Sequence, residues 1–354
     1  MTPSEFTNFL DAGAILRVSE DDWFLLKGPF RNVEKTTPGQ VTLFTPDFFI
    51  GPNPSYWLPA GFSRLKTADL RILCELFNNH DPQKPLEWLY AEPQNFHQSY
   101  AKVMDRIEKA TLVKAVPIEF ERSDDTIDGQ RIVGMLQSLL SAPGTLFVYG
   151  FWQNGRGSLG ASPEILLRQD GNILSTMALA GTSPKQDAQR VSLLSDAKEL
   201  YEHELVAKDI ESVLSAYGTV TIVGPKILEL PTLLHLKSDI QCRLRDPLHF
   251  NFFDACVKLH PTPALGVSPR SAGYDWLKEL PEQQTRDGFG APWGLRWGPN
   301  DALCLVAIRN LQWNESGSRI GSGCGIVQQS QFEQERRELS QKRQSVKKIL
   351  GLQS

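Results

Sequence analysis

Cysteine is sparse and scattered in this chain. Cys74, Cys242, Cys256, Cys304 and Cys324 are odd in number and form no C-x-x-C pair, so neither a zinc ribbon nor a disulfide framework is indicated. An excess of either charge is also missing. Lysine and arginine total 37 against 41 aspartates and glutamates, a formal net charge of -4. That balance carries no basic footprint for nucleic acid or an anionic membrane, and an anionic ligand would have to be drawn in by local groups. No apolar run is long enough to span a bilayer. The opening residues, "MTPSEFTNFLDAG", have no basic segment ahead of an apolar core. No secretory signal is therefore expected, and a reducing cytoplasm fits best. Internal repeats, low-complexity tracts and linkers are lacking too, which favours one compact unit.

What is present is a mixture of strands and helices. "AILRVSEDDWFLLKGPF" alternates around a polar turn, and residues 1 to about 60 read as short strands and turns. "TADLRILCELFNNH" and "NFHQSYAKVMDRIEKA" carry apolar residues at helical spacing. "TLVKAVPIEFER", "GTLFVYGFWQ" and "EILLRQDGNILSTMAL" read as strands, the last turning at Asp170-Gly171. In "DAKELYEHELVAKDIESVLSAYG", Leu200, Leu205, Val206, Ile210, Val213 and Leu214 share one side of a helix that Gly218 stops. "ALCLVAIRNLQWNESGSRIGSG" reads as a second hairpin, followed by a terminal helix from about Ser330. Without regular β-α alternation the expected class is α+β, with a large, mostly antiparallel sheet system.

Four stretches carry residues capable of chemistry. In "GASPEIL", Glu164 is either a general acid, if burial raises its pKa, or a turn or edge residue. In "YEHEL", the acids Glu202 and Glu204 complement the helix dipole, or Glu202 and His203 supply ligands. "IGSGCGIV" offers successive backbone N–H groups for an anion, although tight packing explains its glycines equally well. It is neither the G-x-G-x-x-G fingerprint nor a P-loop. The prolines of "LHPTPALG" impose an extended, rigid path. Just after the "IGSGCGIV" run, Glu335, Glu338 and Lys342 stand on one helical stripe, which by spacing alone is a solvated face with weak ion pairs.

Taken together, "GASPEILLR", "ALAGT", "YEHELV", "LHPTPALG", "VAIRN", "GSGCGIV" and "EQERRELSQK" occur in the order and approximate spacing of chorismate-utilising enzymes. Among these the chain most resembles the isochorismate synthases. The likeness covers a family core at 96–354, clearest from about Lys109 onward, and leaves 1–95 as a variable N-terminal part of the same single domain. It implies an α/β sandwich with two antiparallel sheets, helices outside, and Mg²⁺ as cofactor. Glu202 and Glu338 match the family's metal-binding acids, with Glu335 as a supporting acid. Gly323, Cys324, Gly325 and Lys342 would cradle the ring carboxylate, and Arg309 would pair with the enolpyruvyl carboxylate. Gly181, Thr182 and His260 fall in substrate-binding motifs. Ala264, Leu265, Phe289 and Ile308 match positions near the substrate ring.

The resemblance also implies a reaction. Anthranilate synthases usually carry glutamine where this chain offers Lys109, and the aminodeoxychorismate branch puts lysine where it has Ala180. Lys109 would therefore be a general base on water attacking ring C2, and Glu164 the acid protonating the departing C4 hydroxyl. The product, isochorismate, would feed menaquinone or catecholate siderophore synthesis. Salicylate synthesis and a catalytically weak chorismate-binding paralogue are the competing readings. Chorismate is the expected partner, without nucleic acid or membrane, and a monomer is favoured. Three features depart from the family pattern: Ala291-Pro292 replaces a flexible turn, Gly321 stands where a large residue is usual, and "EKATLVKAV" is a poor match to the usual strand.

Overall fold

In the computed structural model the described residues are 1–37, 39–52, 56–78, 84–89, 92–185, 193–230 and 233–352. The ends of two expected stretches, Asn79-His80 and Asn53-Pro54, lie outside them. Among the described residues two large antiparallel sheets dominate. The eight-stranded sheet runs β6 (Gly61–Lys66), β2 (Asp22–Lys27), β1 (Gly13–Arg17), β9 (Phe147–Gln153), β10 (Arg156–Ser162), β18 (Asn310–Asn314), β19 (Gly317–Gly323), β8 (Ile118–Ser123). The nine-stranded sheet runs β13 (Gly218–Glu229), β14 (Leu233–Leu244), β12 (Ile173–Pro184), β11 (Ile165–Asp170), β17 (Asp301–Val306), β16 (Pro292–Arg296), β4 (Thr42–Phe44), β5 (Tyr56–Leu58), β3 (Arg31–Val33). A small ladder joins β7 (Lys114–Ala115) to β15 (Val267–Ser268).

The sequence period explains how these sheets stack. Successive strand residues face opposite ways. Along β17, Leu303 and Leu305 join the apolar cluster between the sheets, while Ala302, Cys304 and Val306 join the cluster beneath the helices. On the other sheet Phe24 and Leu26 face inward, and Trp23 and Leu25 face outward. Strands covered on both faces read as continuous apolar runs rather than as clean alternation. Helices α1 (Pro3–Asp11), α2 (Thr67–Phe77) and α4 (Gly129–Leu139) cover the eight-stranded sheet. Helices α5 (Ala197–Leu214) and α6 (Phe252–Leu259) cover the nine-stranded one, while α3 (Pro93–Glu108) packs on β7, β8 and the terminal helix. The expected α+β sandwich is what the chain forms, and the first 66 residues contribute strands to both sheets.

Two sequence expectations need correction. Residues 3–11 are helix rather than strand or turn, and the signal was available: Thr2 and Glu5 form a capping box, with Pro3 at the first helical position. "ALCLVAIRNLQWNESGSRIGSG" is not a single hairpin. β18 and β19 do pair, from Leu311 opposite Ile320 to Asn314 opposite Gly317, but β17 belongs to the other sheet. The chain crosses between sheets at Ala307–Arg309, and Arg309 holds a left-handed φ of 57° there. By contrast, the hairpin at Asp170-Gly171 stands as expected, with Asp170 opposite Ile173.

The terminal helix α7 (Phe332–Ile349) buries a polar stripe. Arg343 reaches Glu119 at 2.7 Å and Ser322 at 2.7 Å, and Lys347 reaches Glu121 at 2.6 Å. Ion pairs in a protein interior offset desolvation only when both partners stay, so the helix is locked onto β8 by charges that cannot be removed singly without cost.

Candidate active site

The site lies where α5, α7, β19, the β17–β18 crossing and the 260–266 loop converge. Its cavity, about 600 Å³ of atom-free space when the open solvent at its mouth is counted, is lined by Glu164, Ala180, Gly181, Thr182, Glu202, Ala264, Leu265, Phe289, Ile308, Arg309, Gly323, Gly325, Glu338 and Lys342. Every one of these positions had been singled out from sequence. Four other lining residues, Pro163, Leu179, His235 and Ser322, had not.

Glu164 is 4 % exposed and immediately precedes β11. Burial raises its pKa to about 7, against the lowering pull of Lys114, Lys342 and Arg309. At neutral pH it can hold or release a proton, the property a general acid needs. Arg309 lies at the crossing between sheets. Its guanidinium is pushed down to about 10 by burial, with Glu338 and Glu164 opposing.

The lysine expected to act as base is in the wrong place. Lys109 caps the end of α3, its side chain is 68 % exposed, and it turns back to Asp105 at 2.8 Å in an ordinary i,i+4 pair. Five residues later Lys114, in β7, is 0 % exposed and lies 2.7 Å from Glu202. Beyond that ion pair, Nζ has no hydrogen-bond partner among the described residues. The irregular "EKATLVKAV" stretch explains the mistake: a short turn after α3, not a continuing strand, carries the chain inward. Lys114, not Lys109, is the buried lysine beside the cavity.

Four acids and three lysines pack here. Burial pushes the Glu202 carboxyl up, but Lys114, Lys198 and Lys342 together hold it below the usual range. Lys342 pairs with Glu338 and donates to the Gly323 carbonyl at 2.8 Å. Lys198 bridges Glu199 at 3.1 Å and Glu335 at 3.0 Å. Glu199 is raised to about 7 by burial and then by the charge of Glu202, and Glu335 is raised by burial and then by Glu338. Glu335 is buried behind the cavity rather than lining it. Among the described residues no three acids, histidines or cysteines stand in ligating geometry. Two cavity-facing carboxylates with crowded acids behind them suit a hard cation that keeps waters, such as Mg²⁺.

Three other expectations are corrected. His260 does not line the cavity. It is buried, its Nε2 donates to the Phe48 carbonyl at 2.8 Å, and burial depresses it to about 3. Cys324 has its side chain in the apolar cluster and is not a lining residue, although Gly323 and Gly325 on either side are. His203 faces away, bonding Ser238 Oγ at 2.8 Å, so only Glu202 of that pair addresses the cavity. The missed residue with most chemistry is His235. Its Nδ1 shares a 3.0 Å hydrogen bond with Thr182 Oγ1 and its Nε2 is buried without a partner. Burial, then Arg309 and Lys342, keep it neutral. No local motif marks "LLHLKS", so only the fold finds it.

The glycines are packing requirements. A Cβ at Gly321 would lie 2.7 Å from the Phe289 ring, so that ring fills the space a larger residue would take. A Cβ at Gly325 would collide with Glu202 Oε1 and sit 2.5 Å from Lys114 Cε. Gly325→Ala is therefore expected to split the Lys114–Glu202 pair and cut turnover about 10²-fold, the scale for misplaced catalytic groups. Steady-state kinetics beside a thermal melt check this; unchanged kcat/KM would mean that the pair is not needed as placed.

Comparisons with known proteins bear on the family and the fold. The family described as chorismate binding enzyme matches residues 64–351. The isochorismate synthase MenF of Bacillus subtilis is 34% identical over 215 residues, 58% of this chain and 45% of that protein. The vibriobactin-specific isochorismate synthase of Vibrio cholerae is 33% identical over 206 residues, 56% of this chain and 52% of that one. The matches thus span about half the length of these curated relatives. The structure of MenF from Escherichia coli, the menaquinone-specific isochorismate synthase, superposes with a TM-score of 0.78 at 20% identity, covering 99% of this chain and 91% of that one. That likeness speaks for the fold. The family match over most of the chain, on the fold and cavity described, establishes that this protein belongs to the chorismate-binding enzymes.

Proposed function

We propose that this chain interconverts chorismate and isochorismate, with Lys114 and Glu164 as its proton-handling groups. The observation that carries this reading is the pairing of a buried lysine with a buried, neutral-range carboxyl at one cavity that also holds Arg309 and Lys342. A dianionic substrate of this size needs cations at two places and proton transfer at two others. Arg309 offers a planar fork for one carboxylate. Lys342 and the backbone of Gly323 and Gly325 line the wall where the ring carboxylate would sit.

In the forward direction water adds at ring C2 and gives its proton to Lys114. The ring double bond shifts, the C4–O bond breaks, and Glu164 protonates the departing oxygen. One water enters and one leaves, so the reaction is redox-neutral and reversible. Glu202 and Glu338 would hold Mg²⁺, whose charge would draw the ring carboxylate into place. Ala180, in the cavity wall, leaves no amine at that position to compete with water as nucleophile. Relatives named for menaquinone and for vibriobactin suggest either quinone or siderophore supply as the use of the product.

Two measurements address this reading. Turnover in ¹⁸O-water should place label in the new C2 hydroxyl; product lacking label would exclude water as the nucleophile. Glu338→Gln should raise the Mg²⁺ concentration for half-maximal activity by about 10-fold or more, the scale for losing one charged ligand. A metal titration that superposes on the wild type would remove Glu338 as a ligand.

A further inference from the structure

A buried arginine without a counter-ion stands just outside the cavity. Arg286 is 0 % exposed, and among the described residues no carboxylate pairs with it. Its guanidinium stacks 3.3 Å above the ring of Phe48, also 0 % exposed. Nε donates to the Phe289 carbonyl at 3.1 Å, one Nη donates to Gln283 Oε1 at 3.2 Å, and the other Nη has no partner. A buried unpaired charge is unfavourable, and a face-on aromatic ring offsets only part of that cost. Such an arrangement persists where its geometry serves something else.

Phe48 is gripped from three sides. Its N–H donates to the Asp287 carbonyl at 2.7 Å, its carbonyl accepts from His260 Nε2 at 2.8 Å, and its ring meets the His260 ring edge-on at 4.8 Å. Asp287 and Gly290, at φ 46° and 77°, make the turn that presents Phe289 to the cavity. A Cβ on Gly290 would meet Leu265 Cδ1 at 2.6 Å and the free Arg286 Nη at 2.8 Å, so the loop and the turn touch there.

We propose that Phe48 and Arg286 form a positioning node through which the N-terminal part of the chain sets the ring-facing wall of the cavity, fixing the Phe289 turn against the His260–Gly266 loop. Its consequence for turnover rests on the chorismate reading; its structural content does not. Neither residue lines the cavity, so both act through Phe289, Ala264 and Leu265.

Two experiments test the node. Hydrogen exchange on unliganded full-length Phe48→Leu and Arg286→Met proteins should show residues 260–266 and 286–291 exchanging about 10-fold faster, with β13 and β14 unchanged, as expected for local opening. Unchanged rates, or a uniform rise across both sheets, would overturn it. With chorismate and Mg²⁺, Arg286→Met should lose about 10- to 100-fold in kcat/KM, the range for small misplacements. In a Phe289→Ala background the same change should cost less than about threefold, because coupled residues are not additive. Arg286→Lys, which keeps the charge but not the planar stack, should not restore the loss. An equal loss in both backgrounds would show that Arg286 does not act through Phe289. If the wild type leaves chorismate untouched, the functional reading fails while the exchange data still decide the node.

Discussion

Lys114→Ala is expected to reduce chorismate turnover by about 10²- to 10⁴-fold, the contribution of a positioned general base, while Lys109→Ala stays near wild type. The two lysines are five residues apart, but their surroundings are opposite. Lys109 is a solvated helix-end residue paired with Asp105, and exposed pairs of that kind contribute about 0–1 kcal/mol. Lys114 is fully enclosed against Glu202. Removing it leaves an unpaired buried carboxylate, a loss on the order of 3 kcal/mol or more in stability. A melt must therefore accompany the kinetics, and Lys114→Gln provides a neutral side chain of similar reach. If a folded Lys114→Gln protein turns over normally, Lys114 is not the base. If Lys109→Ala is the inactive variant, the register drawn here between α3 and β7 is wrong.

Glu164→Gln should remove the acid limb of the reaction, again by about 10²- to 10⁴-fold. The pH dependence follows from the raised carboxyl. The protonated form donates, so wild-type kcat/KM is expected to fall as pH rises through about 7, and the residual activity of Glu164→Gln should lack that descent. Stability supplies an independent sign. A carboxyl whose pKa is higher folded than unfolded stabilises the folded state below the unfolded value, and that contribution is lost as pH climbs through about 7. Glutamine cannot ionise. Its variant should therefore gain on the wild type above neutrality, by on the order of 3 kcal/mol at most, and the two should converge below the ordinary glutamate range near 4.3. A constant difference across pH would mean that Glu164 titrates normally.

The sandwich was legible because β9, β11 and α5 carry their apolar patterns openly, and Asp170-Gly171 marks its own turn. The site was legible wherever a motif is contiguous: Glu164, Glu202, Arg309, Gly323 and Lys342 all reach one cavity. What failed was depth and direction. Lys109 and Lys114 are both plausible in a string of letters, and only the turn that ends α3 decides which one is buried. His260 lies in a loop whose neighbours do line the cavity, yet its ring is turned to Phe48. His235 had no flanking motif, and its role follows from β14 pairing with β12, which sets it opposite Thr182. The compensation at Gly321 is equally non-local, since the ring that fills the space belongs to Phe289, 32 positions earlier in the chain.

The central claim is tested most directly by giving the purified protein chorismate with Mg²⁺, beside a metal-free control, and resolving the products by chromatography. The account predicts a chorismate–isochorismate equilibrium mixture that forms only with Mg²⁺ and is absent from Lys114→Gln protein. Salicylate with pyruvate would assign a different final step to the same cavity. Chorismate recovered unchanged, with binding still measurable, would contradict the account and leave a protein that holds the substrate without transforming it.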